Sequence, residues 1–96
     1  MRPFDKAKIY FSMSIAQMTA SSLEFSKEIT TSISRFKRMD WGDTSPEDVL
    51  VNDDALKHID RVLAVYNTSM GKIWIIAESE NGNEYTVITI LLPTEY

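Results

Sequence analysis

The sequence predicts an α+β fold: two helices packed on one face of a twisted antiparallel sheet of three to four strands, in the order β-α-α-β-β-β. Three observations carry this expectation. Apolar residues recur at helical spacing between Leu23 and Phe36. Ser45-Pro46-Glu47-Asp48 has the form of a helix start. Beyond Asp60 the pattern changes to β-branched and aromatic runs separated by turn residues.

Taken in order, Lys8-Ile9-Tyr10-Phe11-Ser12-Met13-Ser14 is β-prone and predicts a first strand. Thr19 to Ser22 supplies N-cap candidates for a helix of about sixteen residues carrying Leu23, Phe25, Ile29, Ile33 and Phe36 as its apolar stripe. Arg35, Lys37 and Arg38 at its end complement the negative pole of the helix dipole. In the second helix Ser45 caps, Pro46 suits the first position, and Glu47 and Asp48 favour the positive pole. Val49, Asn52, Ala55 or Leu56 and Ile59 form its inner stripe, with Asp48, Asp53, Asp54 and Lys57 outside. Val62–Tyr66, Lys72–Ala77 and Tyr85–Leu92 then predict three consecutive antiparallel strands. Thr68-Ser69-Met70-Gly71 and Glu80-Asn81-Gly82-Asn83 separate them, with Asn81-Gly82 as a tight hairpin turn, and Pro93 stops the last strand. Tyr85–Leu92, if left at an edge, offers a route to pairing through the sheet, so the chain is read as a monomer or homodimer.

Ninety-six residues form a single domain, 1–96, with one core. The absence of cysteine excludes disulfides and thiolate chemistry, and no apolar run approaches the ~18 residues of a membrane span. The expectation is a cytoplasmic protein without a cofactor. A net charge of −4 argues against general nucleic-acid binding, which needs clustered lysine and arginine.

The charge is divided along the chain: +4 for residues 1–39, −6 for 40–60 and −2 for 61–96. Residues 40–60 hold seven of the fourteen acids and one base, Lys57, and begin with Asp40-Trp41-Gly42-Asp43. Asp40, Trp41, Asp43, Glu47, Asp48, Asp53 and Asp54 are therefore the candidate partner-binding residues, set against the plainer reading of a solvated helix face. Trp41 is read either as an exposed anchor or as a lid on the core. Trp74, inside the most apolar strand, is read as structural. The basic cluster Arg35, Lys37 and Arg38 is read as helix-end chemistry in preference to an RNA site, with internal pairing to the acidic segment as a further option. The acids lack the spacing of a calcium loop, and His58, the one imidazole, has no supporting nucleophile motif. No catalytic residue and no metal site is assigned.

From Asp40-Trp41-Gly42-Asp43 through Glu47-Asp48, Asn52-Asp53, Ala55-Leu56, Arg61-Val62-Leu63-Ala64, Tyr66, Lys72-Ile73-Trp74-Ile75-Ile76, Glu78, Leu91-Leu92-Pro93 and Glu95-Tyr96, the order of residues resembles a family of short plasmid-related proteins of mobile genetic elements. The resemblance covers roughly the last 57 residues. Members often carry a His and a Gly shortly before the Asp-Trp-Gly element, where this chain has Phe36-Lys37-Arg38-Met39. Some small mobile-element proteins of this look are anti-CRISPR proteins. The resemblance thus implies a non-enzymatic inhibitor whose partner is a type II CRISPR effector nuclease; interference with guide RNA loading is the step that the acidic segment suits. The basic channel of such a nuclease holds a polyanion, and an acidic nucleic-acid mimic is suited to that surface. The alternative is a plasmid accessory protein, in anti-restriction or maintenance, acting through protein–protein contact. A third reading is a small hydrolase or nuclease using His58 and nearby acids.

Overall fold

The computed structural model describes residues 2–96 and shows an α+β domain with three helices and a four-stranded sheet. Strand β1 is Lys8–Phe11, followed by helices α1 (Met13–Ser21), α2 (Leu23–Lys37) and α3 (Pro46–His58). Strands β2 (Val62–Thr68), β3 (Gly71–Glu78) and β4 (Val87–Leu91) come next, and a 3₁₀ turn, Pro93–Glu95, follows. The sheet order is β1-β4-β3-β2. β2, β3 and β4 pair antiparallel as expected, but β1 joins β4 in parallel, so the sheet is mixed.

Helix α2 matches its predicted span because Ser22 caps it, its side chain accepting from the Phe25 N–H at 3.1 Å. Phe25, Ile29, Ser32 and Phe36 are its buried face, whereas Leu23, on the first turn, is exposed. α3 starts at the expected Ser45 cap and turns Asn52 and Ala55 inward. α1 was not expected. The β-prone run ends at Phe11, and Ser12 caps a helix by accepting from the Ile15 N–H at 3.2 Å. Ser22 then adopts an extended conformation (φ −140°) that separates α1 from α2.

Two further expectations are corrected. Asn81-Gly82 does not make a two-residue hairpin. An eight-residue connection, 79–86, joins β3 to β4, organised by Ser79 and Asn81 side chains that accept from backbone N–H groups of residues 81–84. The tight turn is instead Ser69-Met70, between Thr68 and Gly71 of β2 and β3. The strand Tyr85–Leu92 begins later, at Val87, and lies inside the sheet. The edges are β1 and β2.

The core lies between the helices and one face of the sheet, where Ile15, Phe25, Ile29 and Phe36 meet Val62, Ala64, Tyr66, Ile73, Ile75, Ile88 and Ile90. Phe4 completes it, with its ring centroid 4.8 Å from Phe36 and 4.9 Å from Tyr85. On the other face Trp74 is half-buried and packs against Tyr96 at 5.2 Å, and Arg61 lies over the Tyr96 ring at 4.7 Å.

Candidate functional site

The predicted site begins where α2 ends. Met39 takes the left-handed conformation (φ 60°) and reverses the chain. Asp40 then turns back onto α2 and meets Arg35 in a two-pronged ion pair, Nε to Oδ2 at 2.8 Å and Nη2 to Oδ1 at 3.2 Å. The Arg35 hydrogen bond, with a further one from the Gly42 N–H, holds the Asp40 carboxyl below the usual carboxylate range. The expected pairing between the basic cluster and the acidic segment is thus present at Arg35. Arg38 instead donates to the Ser34 hydroxyl at 2.7 Å.

Trp41 is a lid on the core. It is 4% exposed, stands edge-on to Phe36 at 5.4 Å, and donates its Nε1–H to Asp53 Oδ1 at 2.9 Å. Its ring is not presented to a partner as the anchor reading expects, because the turn at Met39–Gly42 directs it beneath α3. Gly42 has φ +63°, and a Cβ there would overlap the Tyr66 ring and approach the Val65 carbonyl oxygen to 2.7 Å. The Tyr66 hydroxyl, buried beside this turn, donates to the Asp40 carbonyl at 2.7 Å, and burial pushes its pKa up.

The residues that follow answer the outward backbone groups of β2. The Asp43 N–H donates to the Val65 carbonyl at 2.7 Å, and the Thr44 hydroxyl accepts from the Val65 N–H at 2.9 Å. Asp43 Oδ2 accepts from the Asn67 N–H at 2.8 Å. Asn52, from α3, accepts from the Leu63 N–H at 3.3 Å and donates to the Leu63 carbonyl at 2.9 Å. Three side chains and the Asp43 backbone N–H therefore do along this edge what another strand would do. Asp40, Trp41, Gly42 and Asp43 each have a structural duty.

The remaining acids are on α3 and face solvent. Glu47, Asp48 and Asp54 are exposed, and among the described residues their carboxylates have no hydrogen-bond or ion-pair partner. Asp53 is exposed but shares one oxygen with the Trp41 indole. Between the acids lie two aliphatic side chains that the sequence reading passed over, Leu50 at 70% exposure and Val51 at 61%. Glu47, Leu50, Val51, Asp54 and His58 stand at spacings of three and four and form one outward stripe. The signal was in the sequence: Leu50 and Val51 are apolar at positions outside the inner stripe of α3.

His58 is exposed in the last turn of α3. Among the described residues no three His, Asp or Glu side chains converge as a metal site, and no helix is long and apolar enough to cross a membrane. Comparison with protein families, with curated proteins and with solved structures finds no match to this chain. The resemblance described above therefore rests on the quoted residues alone.

Proposed function

We propose that this protein is a non-enzymatic binding protein that docks the outer stripe of α3 on a basic partner. In line with the resemblance, that partner is the guide-binding surface of a type II CRISPR nuclease, and guide RNA loading is the step inhibited. One observation carries the reading: Leu50 and Val51 are exposed side by side among Glu47, Asp48 and Asp54, which are themselves unpaired among the described residues. Both side chains stand outside the hydrophobic core, 70% and 61% exposed. Flanked by acids, the pair suits a shallow apolar depression with a lysine- and arginine-rich rim. The acids supply attraction and association rate, and the aliphatic pair supplies anchorage. Trp41 is replaced as anchor by Leu50 and Val51, and Asp40 and Asp43 act by holding the turn.

The test is order of addition. Purified protein is mixed with a type II nuclease before or after guide loading, and DNA cleavage and co-elution are followed. The expected result is inhibition when the protein precedes the guide. That inhibition is lost in Glu47→Lys/Asp48→Lys/Asp54→Lys and weakened by about tenfold or more in Leu50→Ser/Val51→Ser. Full inhibition by both variants, each shown folded by circular dichroism, would remove α3 from the interface. Absence of binding across several such nucleases would favour the accessory-protein alternative.

A further inference from the structure

The two edges of the sheet are treated differently by the fold, and the open one is β1. In the β1–β4 ladder the Lys8 N–H donates to the Thr86 carbonyl at 3.0 Å and the Ser12 N–H donates to the Ile90 carbonyl at 2.9 Å. Alternate residues of a strand turn their backbone groups the same way. Lys8, Tyr10 and Ser12 thus address β4, and Ile9 and Phe11 turn their N–H and C=O groups outward. Among the described residues nothing bonds to those four groups, in contrast to β2. The side chains are uncovered too: Ile9, Tyr10 and Phe11 are 38%, 51% and 42% exposed, and Met13 beyond them is 76% exposed.

The geometry points to a second copy of this chain as the occupant, pairing β1 antiparallel with β1 about a twofold axis at Tyr10. In that register Ile9 stands opposite the partner copy's Phe11, and Phe11 opposite its Ile9. Each such pair exchanges two N–H···O=C bonds, so four bonds in all satisfy the four outward groups of each copy. Ile9 and Phe11 are level with Ile88 and Ile90 of β4, so their side chains extend the core-facing layer across the junction. The two Tyr10 rings meet on the other face.

Charge selects this register. Lys8 falls opposite Ser12 of the second copy, and the Ser12 hydroxyl donates to Glu95 Oε1 at 2.7 Å. The Leu92 N–H donates to the same oxygen at 2.8 Å, which fixes the carboxylate at the strand end. Two Lys8–Glu95 attractions, related by the axis, therefore flank the four hydrogen bonds. An axis at Ile9 would set Lys8 opposite Tyr10 and forfeit both.

The resulting sheet has eight strands with the capped β2 edges outermost. α3, which holds β2 through Asn52, then lies at both ends, roughly 34 Å apart at ~4.8 Å per strand gap. The assembly presents two acidic stripes, although the pairing itself does not depend on the function proposed for α3. A contact of four residues per copy is small beside stable interfaces, so the dissociation constant is expected in the range of roughly ten to several hundred micromolar.

The test combines sedimentation of the full chain from about 10 µM to 1 mM with amide exchange over the same range. The expected result is a reversible dimer whose formation slows exchange at the Ile9 and Phe11 amides by about tenfold or more. Ile9→Pro removes an outward N–H and leaves the bonds to β4, so it should give a folded monomer. Lys8→Glu, at an exposed position, should weaken the dimer several-fold while leaving circular dichroism unchanged. A monomer throughout that range overturns the proposal, as does a dimer that both variants leave intact. A monomer whose β1 instead binds a foreign extended peptide also overturns it, by assigning the edge to another partner.

Discussion

The β2 edge and the β1 edge belong to one sheet and have opposite fates. Along β2, Asp43, Thr44 and Asn52 meet the outward N–H and C=O of Leu63 and Val65 and the N–H of Asn67. Along β1, Ile9 and Phe11 keep theirs open among the described residues. The difference inverts a first impression of the surface. Asp40-Trp41-Gly42-Asp43, the most conspicuous motif of the chain, is consumed in closing an edge, whereas the plain run Ile9-Tyr10-Phe11 is the part left unclosed. A conspicuous motif marks a demanding backbone path as readily as it marks a binding surface.

The comparison breaks most readily at Trp41. Trp41→Ala removes the lid that seats the capping segment and should cost about 3–5 kcal/mol in urea unfolding. Exchange at the Leu63 and Val65 amides should rise with it, while the bonds of β1 to β4 persist until global unfolding. A loss below about 1 kcal/mol would mean that the segment is held by its hydrogen bonds alone.

A second substitution compares the edges directly. Asn52→Ala strands the N–H and C=O of Leu63 and should cost about 2 kcal/mol. Ile9→Pro deletes an N–H that has no partner among the described residues and should change monomer stability by less than about 1 kcal/mol. Equal costs in denaturant titration would contradict the asymmetry.

The smallest effect is pH-dependent. Because the Asp40 pKa is depressed by the Arg35 hydrogen bond, folding binds fewer protons there than the unfolded chain does. Its contribution is complete above the ordinary carboxylate pKa, near 4, and is lost as pH falls through the depressed folded value. The pair is half exposed, so the change should stay below about 1 kcal/mol. Arg35→Ala should remove it from the pH profile of stability. Glu95, whose carboxyl is also held low by the Leu92 N–H and the Ser12 hydroxyl, should lose its bonding in acid in the same direction.

Elements with strong local period were legible in the chain. α2 follows from Phe25, Ile29 and Phe36, and α3 from its Ser45-Pro46 start. β2 and β3 follow from runs of Val, Ile, Tyr and Trp. α1 was hidden because Ser12 follows a β-prone run and its helix buries one residue, Ile15, which is too little to set a period. The parallel docking of β1 was hidden as well, since its partner lies nearly eighty residues away in sequence. Phe4 gave no pattern at all, being a lone aromatic outside any element, yet it sits in the core against Phe36 and Tyr85.

The acids show most plainly where local information stops. Composition placed seven of them between Asp40 and Asp60, and caps and dipole placed Glu47 and Asp48 in the first turn of α3. Nothing local distinguishes Asp53 from Asp54. Folding gives Asp53 an indole N–H twelve residues back and Asp43 a backbone N–H twenty-four residues ahead, and leaves Glu47, Asp48 and Asp54 to solvent. Helix and strand periods are set by neighbours along the chain, so residue order suffices for them. Whether a carboxylate is free is set by neighbours in space, which exist only once the sheet and helices have packed.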